Sequence, residues 1–424
     1  MKTIDDETVC LDLLTSSQLE KSFKNKPNLI MDASFKSFDK DADLSINEGE
    51  WKTLLKALFR NDKGIPYPID DYLASDLFYI FNKGGDGSMS KEEYHFCWNN
   101  WIKKIVRPVS AILIVDVQND FISGTLSISN CPAGQNGEDV VAPINKMIDQ
   151  VPFDEFFYSL DWHPEDHISF FENVHTRELD VDSAVQDPTK ANVFDLVVFK
   201  GPPKTEQILW PAHCIQESWG SDFHKDLKMH PKAVVVKKGC TPYIDSYSAF
   251  FDNKKLGKTE LEDLLRSKGV TDVYCCGIAY DVCVASTAFH AQELGFRTVL
   301  VDDASKGIND DGIAGTIVKI KENHGCVVDS SEVKAMVTGR DRRVELGYQL
   351  AIQCRNQIIN MPGGGYPLKN RNSKYNIPIE EKLAKEEEEA KAAKEKAEAE
   401  AAEKKAQENG NEDGNTNEAA PTEE

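Results

Sequence analysis

The chain has 424 residues and a formal net charge of −22, from 49 Lys and Arg against 71 Asp and Glu. That length holds two or three domains, and the acidic balance argues against nucleic acid or an anionic membrane as partner. A good part of the acidic excess lies beyond residue 380 and says little about the folded parts.

Ten cysteines are scattered without regular spacing, and two of them, Cys275 and Cys276, are adjacent in an apolar run. That pattern reads as free thiols in a reducing compartment rather than a disulfide framework. The N-terminus carries no apolar leader, and the longest apolar run, near residues 109–115, is too short to span a bilayer. The expected location is the cytoplasm, with the nucleus also open.

Residues 1–29 read as a polar segment with a short amphipathic piece at 11–23. In residues 30–102 the spacing of a twelve-residue EF-hand loop appears. Asp39, Asp41 and Asp43 fall at its positions 1, 3 and 5, Ser45 at 7, Asn47 at 9 and Glu50 at 12. Ca²⁺ takes six to eight oxygens, and this spacing wraps them around one ion. Leu44 stands at position 6, where glycine normally permits the sharp turn, a departure that weakens binding. An acidic surface loop between two helices is the other reading. A second loop places Asn82, Asp86, Ser88 and Glu93 at positions 1, 5, 7 and 12, with Gly87 at 6. It lacks carboxylates at 1 and 3, so it is either a low-affinity calcium loop or a degenerate one kept to pair with the first. Together the two resemble an EF-hand pair, a small all-α domain.

At Pro108 the pattern changes. SAILIVDVQNDF is a continuous apolar run ending in Asp116, which is how a buried parallel strand reads. Catalytic groups gather at the carboxyl ends of such strands, although a solvated strand-end aspartate is the plainer reading of this segment by itself. A helix over VVAPINKMIDQ follows, then a short strand ending at Asp161-Trp162-His163. Alternation puts Asp161 and His163 on one side of an extended segment, and carboxylate with imidazole suits Zn²⁺, Mn²⁺ or Fe²⁺. His167 lies four residues on. Residues 172–206 form a long polar insertion, expected to be a lid or surface loop. Beyond it, His213 in WPAHC is the natural third ligand, and Trp210 a ring-stacking wall. VVVKKGC supplies a strand ending in Lys237 and Lys238, of which one must point outward. The aromatic YSAF stretch begins at Tyr247.

An apolar run at 270–276 then leads into GIAYDVCVAS and a helix. Cys283 therefore sits where a strand turns into a helix, beside backbone N–H groups and the positive end of a helix dipole. Both favour a thiolate and an oxyanion, although a small cysteine packed in a helix start is the plainer reading. Strand and helix continue to alternate, with a final strand and turn at CVVDSSEV. The whole of 108–340 reads as an α/β domain with a doubly wound, mainly parallel sheet and flanking helices. Residues 341–379 form an extension with some helical character, and 380–424 a charged tail, helical or disordered.

The pieces VDVQNDF, DWHPEDH, WPAHC, VVKKG, YSAF and GIAYDVCVAST stand in one order over about residues 110–337. In that order they resemble the nicotinamidases of the isochorismatase-like cysteine hydrolase family. The resemblance implies a triad of Asp116, Lys238 and Cys283. It implies metal ligands Asp161, His163 and His213, with zinc foremost and manganese or iron also compatible. It implies pocket aromatics Phe121, Trp210 and Tyr247, oxyanion donors in the N–H groups of Ala279 and Cys283, and a cis peptide at Ile278–Ala279. The activity implied is hydrolysis of nicotinamide to nicotinate through a cysteine thioester, a step of NAD salvage. Cys283 would then have a lowered thiol pKa. The insertion and the N-terminal pair depart from compact microbial members and resemble the longer animal enzymes. Two alternatives stay open: a related ureido or carbamoyl amidohydrolase, and a calcium-sensing adaptor with an inert hydrolase domain. Homo-oligomerisation is also open.

Overall fold

Residues 27–359 are described in the computed structural model and belong to one compact unit. The amphipathic piece at 11–23 and the tail at 380–424 lie outside the described residues, as do most of the 1–29 segment and the end of the 341–379 extension.

α1 (Pro27–Phe38) meets α2 (Glu48–Leu58) across one loop, and α3 (Asp71–Phe81) meets α4 (Lys91–Cys97) across the next. Both loops end in a capping box. Asn47 Oδ1 accepts from the Glu50 N–H at 3.1 Å while Glu50 accepts from the Asn47 N–H at 3.0 Å; Ser90 and Glu93 do the same at 3.3 and 2.9 Å. Short strands β1 (Ser45–Asn47) and β2 (Ser88–Ser90) pair antiparallel between the loops, with buried Ile46 opposite buried Met89. Inside, Trp51 stacks on Trp101 at 5.6 Å between ring centres. A π turn (Trp98–Ile102) and α5 (Lys103–Val106) carry the chain into the sheet.

The sheet is built from β3 (Ser110–Val115), β4 (Glu155–Asp161), β7 (Ala233–Lys238), β8 (Asp272–Ile278), β9 (Arg297–Lys306) and β10 (Cys326–Val328). Its order is β10-β9-β8-β3-β4-β7 and every pair is parallel. β3 and β8 are buried at every position, as strands covered on both faces must be. From β3 the chain moves outward to β4 and β7, then returns to lay β8, β9 and β10 on the other side. The winding reverses between β3 and β8, and the crevice beyond the carboxyl ends of strands at such a point is where ligands bind.

After β3 comes the short α6 (Asn119–Ile122), then α7 (Val141–Gln150), whose Ile144 and Met147 pack on one sheet face. α8 (Leu261–Ser267) and α9 (Ala285–Glu293) cover the other with Leu265 and Ala288. α10 (Asp310–Glu322) precedes β10.

Three regions differ from the sequence expectation. Residues 172–206 are folded: β5 (Leu196–Phe199) and β6 (Thr205–Ile208) form an antiparallel hairpin over a small core of Ile168, Val174, Val197, Phe199 and Leu209. Strands of four residues turned at Gly-Pro-Pro carry too little periodicity to read. The final turn is a helix, α11 (Ser330–Val337), set by an Asp329/Glu332 capping box. Residues beyond 341 form α12 (Val344–Ile359), whose Val344, Tyr348, Leu350 and Ala351 complete the core of the N-terminal helices. Gln349 of α12 also donates to Phe296 O at 2.8 Å, beside the amino end of β9.

Candidate active site

Each strand delivers its polar residue at its carboxyl end. Asp116 follows β3 with φ 49°, a left-handed turn that Asp tolerates. Asp161 closes β4 and is paired in register with Lys238, the last residue of β7. Alternation settles the lysine pair: Lys238 is buried, whereas Lys237 is exposed with its ammonium 3.6 Å from the centre of the Trp162 ring. Gly277 of β8 lies opposite Val115, and a Cβ there would meet Val115 O at 2.1 Å. Only glycine lets β8 approach β3 closely enough to bring the following turn, with Cys283, toward Asp116.

Lys238 Nζ lies at the centre. It is 2.7 Å from Asp161 Oδ1, 2.9 Å from Ser246 O, 2.9 Å from Asp116 Oδ2 and 3.5 Å from Cys283 Sγ. Ser159 donates to Asp116 Oδ1 at 2.6 Å, whereas Oδ2 is buried and receives no aligned hydrogen bond. Burial opposes the charge on Lys238, yet Asp116 and Asp161 hold its pKa well above the usual lysine value. Burial raises Asp116 above the ordinary carboxylate value, with Lys238 pulling the other way. Burial likewise pushes the Cys283 thiol well above its usual value, against the pull of Lys238. This differs from the expected lowered thiol pKa: desolvation outweighs Lys238, and the Asp116 and Asp161 carboxylates push the same way. The peptide at Ile278–Ala279 is cis, and Ala279 and Cys283 bracket the first turn of the π segment Tyr280–Val284.

Beside this group, Asp161, His163 and His213 bring their ligand atoms within 4.8 Å of one another. His163 Nδ1 lies 2.9 Å from Gly239 O and His213 Nδ1 2.7 Å from Pro211 O. A carbonyl only accepts, so both Nδ1 atoms carry a proton, and in the neutral ring each Nε2 is then a lone pair. They face Asp161 Oδ2 at 3.2 and 3.6 Å. Burial disfavours charge on His163, but Asp161 raises its pKa above the ordinary value. Two lone pairs and a carboxylate oxygen converging in a buried space call for a cation, so the donor set fits a divalent transition metal. His167 stands apart. Its ring stacks on His163 at 3.9 Å, and its ligand nitrogen lies within 4.8 Å of an Asp245 oxygen.

A cavity opens above both groups. Phe121, Trp210 and Tyr247 line it, as do Asp161, His213, Ala279 and Cys283. The sequence reading missed Asp245 on its wall and Ser159 beneath it. It also missed Gln118, whose amide holds both Asp161 O and Asp161 N, at 2.8 and 2.9 Å, and Asp281, whose carboxylate accepts from Ile308 and Asn309 to fix the turn at Cys283. Only Gln118 and Asp281 carried a signal, as polar residues inside the conspicuous VDVQNDF and GIAYDVCVAS stretches.

The loop residues are not part of this cavity. Asp39, Asp41 and Asp43 cluster with ligand atoms within 4.8 Å. Leu44, 75 % exposed, takes φ 70°, the conformation glycine would supply. Glu50 Oε1 accepts from the Lys40 N–H at 2.6 Å, and Ser45 Oγ donates to Asp43 Oδ1 at 2.8 Å. In the second loop Asn82 Oδ1 accepts from Gly85 and Asp86 Oδ1 from Ser88, while Glu93 accepts from Gly84.

The fold and the site define a doubly wound α/β hydrolase with an acid, an amine and a thiol at the winding reversal. The isochorismatase domain profile matches residues 110–332. The nicotinamidase of Escherichia coli is 35% identical over 204 residues, 48% of this chain and 85% of that one. The nicotinamidase of Saccharomyces cerevisiae is 32% identical over 222 residues, 50% of this chain and 94% of that one. A solved nicotinamidase pyrazinamidase of Acinetobacter baumanii is 31% identical with a TM-score of 0.45, covering 53% of this chain and 98% of that one. The chain belongs to the isochorismatase family and is an amide hydrolase. The profile begins at β3, so the helical N-terminal part lies outside it.

Proposed function

We propose that the amide hydrolysed is nicotinamide, giving nicotinate and ammonia in NAD salvage. The observation that carries this reading is the joining of Asp116, Lys238 and Cys283 in one buried group, beside Asp161, His163 and His213, under an aromatic-lined cavity. The last three residues would hold the metal, zinc being the foremost choice. When bound, it supplies a Lewis-acid point for the pyridine nitrogen.

The chain's own residues do the rest. Phe121, Trp210 and Tyr247 confine a flat ring and exclude water. Asp116 Oδ2 takes the thiol proton as Cys283 Sγ bonds to the carboxamide carbon. A thiol of raised pKa reacts only as that proton leaves, so transfer to the adjacent carboxylate is coupled to attack. The N–H groups of Ala279 and Cys283 receive the negative oxygen, a contribution of about 3 kcal/mol per donor in such sites. The C–N bond breaks, and Asp116 returns its proton to the departing ammonia. Water then loses a proton to Asp116 and attacks the thioester; the C–S bond breaks and the thiol is restored. Lys238 favours the ionised form of Asp116 between proton transfers, so that it can accept each proton in turn.

We further propose that the first loop binds Ca²⁺ through Asp39, Asp41, Asp43, Ser45 and Glu50. The loop of Asn82, Asp86, Ser88 and Glu93 is its pairing partner. The left-handed Leu44 supports this by making the turn without glycine.

Ammonia release from nicotinamide by protein loaded with Zn²⁺, set against Cys283→Ala, tests the enzyme reading. Release by the first and none by the second is the expected result. No release by folded, metal-loaded protein rejects nicotinamide as substrate.

A further inference from the structure

Phe194 lies in the insertion, far from every sequence motif, yet its backbone is held at φ 75°. It is the third residue of a turn closed by Asp195 N–H to Asn192 O at 3.1 Å. A positive φ at that position favours glycine or asparagine, and a bulky side chain there is a genuine outlier. The turn is clamped on both sides: Phe194 N donates to Leu209 O at 2.6 Å and Leu209 N to Asp195 O at 3.0 Å.

The ring is 48 % exposed, so burial does not explain it. It stands edge-on to Trp210, 5.7 Å between centres at 79°. Trp210 in turn meets Tyr247 edge-on at 6.5 Å and points its Nε1 to the Tyr247 hydroxyl at 3.4 Å. Both rings line the cavity. The insertion and the residues just before it also hold the backbone of this wall, since Glu172 accepts from Ala212 N at 3.0 Å and Ser169 O accepts from Trp210 N at 2.8 Å.

We infer that Phe194 is a positioning residue: the insertion is a buttress that fixes the plane of Trp210, and thereby the fit of a flat aromatic amide in the cavity. The inference rests on the reading of the cavity as a nicotinamide site. Glycine suits the backbone at 194 better than phenylalanine does, so the residue is explained by what its ring touches.

The full-length, zinc-loaded protein is compared with Phe194→Ala, Phe194→Gly and Phe194→Tyr. KM for nicotinamide rises about three- to tenfold in the Ala and Gly variants, the scale of one aromatic pair, with kcat within about twofold. Tyr keeps the wild-type KM. The Gly variant melts no lower than wild type, because its backbone accepts the turn. A role in folding alone predicts instead that the Gly variant keeps the wild-type KM as well as the wild-type stability. Near-UV circular dichroism reads the ring without substrate: the band that Trp210→Phe removes is diminished in Phe194→Gly and kept in Phe194→Tyr. A Gly variant with wild-type KM, or with that band intact, overturns the inference. Wild-type protein inactive on nicotinamide rejects the substrate reading instead, and the dichroism still decides the role of Phe194.

Discussion

Ser159 donates its hydroxyl to Asp116 Oδ1 at 2.6 Å, the one aligned hydrogen bond that this buried carboxylate receives among the described residues. The bond favours the charged form, against the burial that raises the Asp116 pKa. As the proposed base, Asp116 works only when ionised. The acidic limb of the kcat/KM profile is therefore expected above the ordinary aspartate value of about 4. Ser159→Ala removes a stabiliser of the anion, so the limb moves to higher pH. A hydrogen bond to a charged group contributes about 1.5–3 kcal/mol, which sets a shift of about one to two units. A limb that stays in place would remove Asp116 from the role of base.

Lys238 is the single cation between two buried carboxylates, Asp116 and Asp161. Lys238→Met keeps the length of the side chain and loses the charge. Breaking a buried ion pair from one side costs about 3–5 kcal/mol of stability. Urea unfolding should show that loss, together with lost turnover. Adding Asp116→Asn to Lys238→Met should recover part of the stability and none of the activity.

Gly239 offers a test of the metal group away from its ligands. At φ 64° its missing side chain leaves room for His163, whose Cε1 would lie 2.4 Å from a Cβ there. Gly239→Ala should displace the His163 ring and strip its carbonyl partner. Loss of such a supporting contact weakens metal binding about ten- to a hundredfold. Metal content after dialysis against a chelator series should fall accordingly. Unchanged retention would argue against His163 as a ligand.

The strand ends were legible in the sequence because parallel strands announce themselves as apolar runs, and a polar residue straight after one has few places to be. Asp116, Asp161 and Cys283 were found in that way. Spacing alone left Lys237 and Lys238 equal; the family resemblance chose Lys238, and the register sets it against Asp161. Ser159 was illegible: it is one hydroxyl inside a buried strand, and its partner lies 43 residues away. α12 was legible only as some helical character, for a different reason. Its residues pack both on the N-terminal helices and beside β9, so no single apolar stripe marks it.

That two-sided packing carries its own prediction. Tyr348 of α12 donates to Asp76 of α3 at 2.8 Å in a buried setting, and Trp101 donates to Gly347 O at 2.7 Å. Tyr348→Phe leaves the carboxylate short of a donor and should lower unfolding stability by about 2 kcal/mol. KM and kcat should not change, because these contacts lie at the amino ends of the strands. A loss of turnover at unchanged stability would contradict that separation.

The same geometry bears on calcium. The helical part joins the sheet where α5 enters β3, and Arg297 at the start of β9 donates to Lys104 O at 2.7 Å. Asp116 and Cys283 lie at the opposite ends of the strands, roughly 20 Å away along six residues of β3 at about 3.3 Å each. Ca²⁺ at the first loop would draw Asp39, Asp41 and Asp43 onto one ion and stabilise the fold by mass action. The gain is about 2.7 kcal/mol at a hundred times the dissociation constant. Melting should therefore shift upward with Ca²⁺ and not with a Ca²⁺-selective chelator present, and Glu50→Gln should reduce the shift. Turnover of nicotinamide should be the same in both conditions. A change in kcat/KM on adding Ca²⁺, absent in Glu50→Gln, would instead make the loop a regulator of the distant cavity, acting through the sheet.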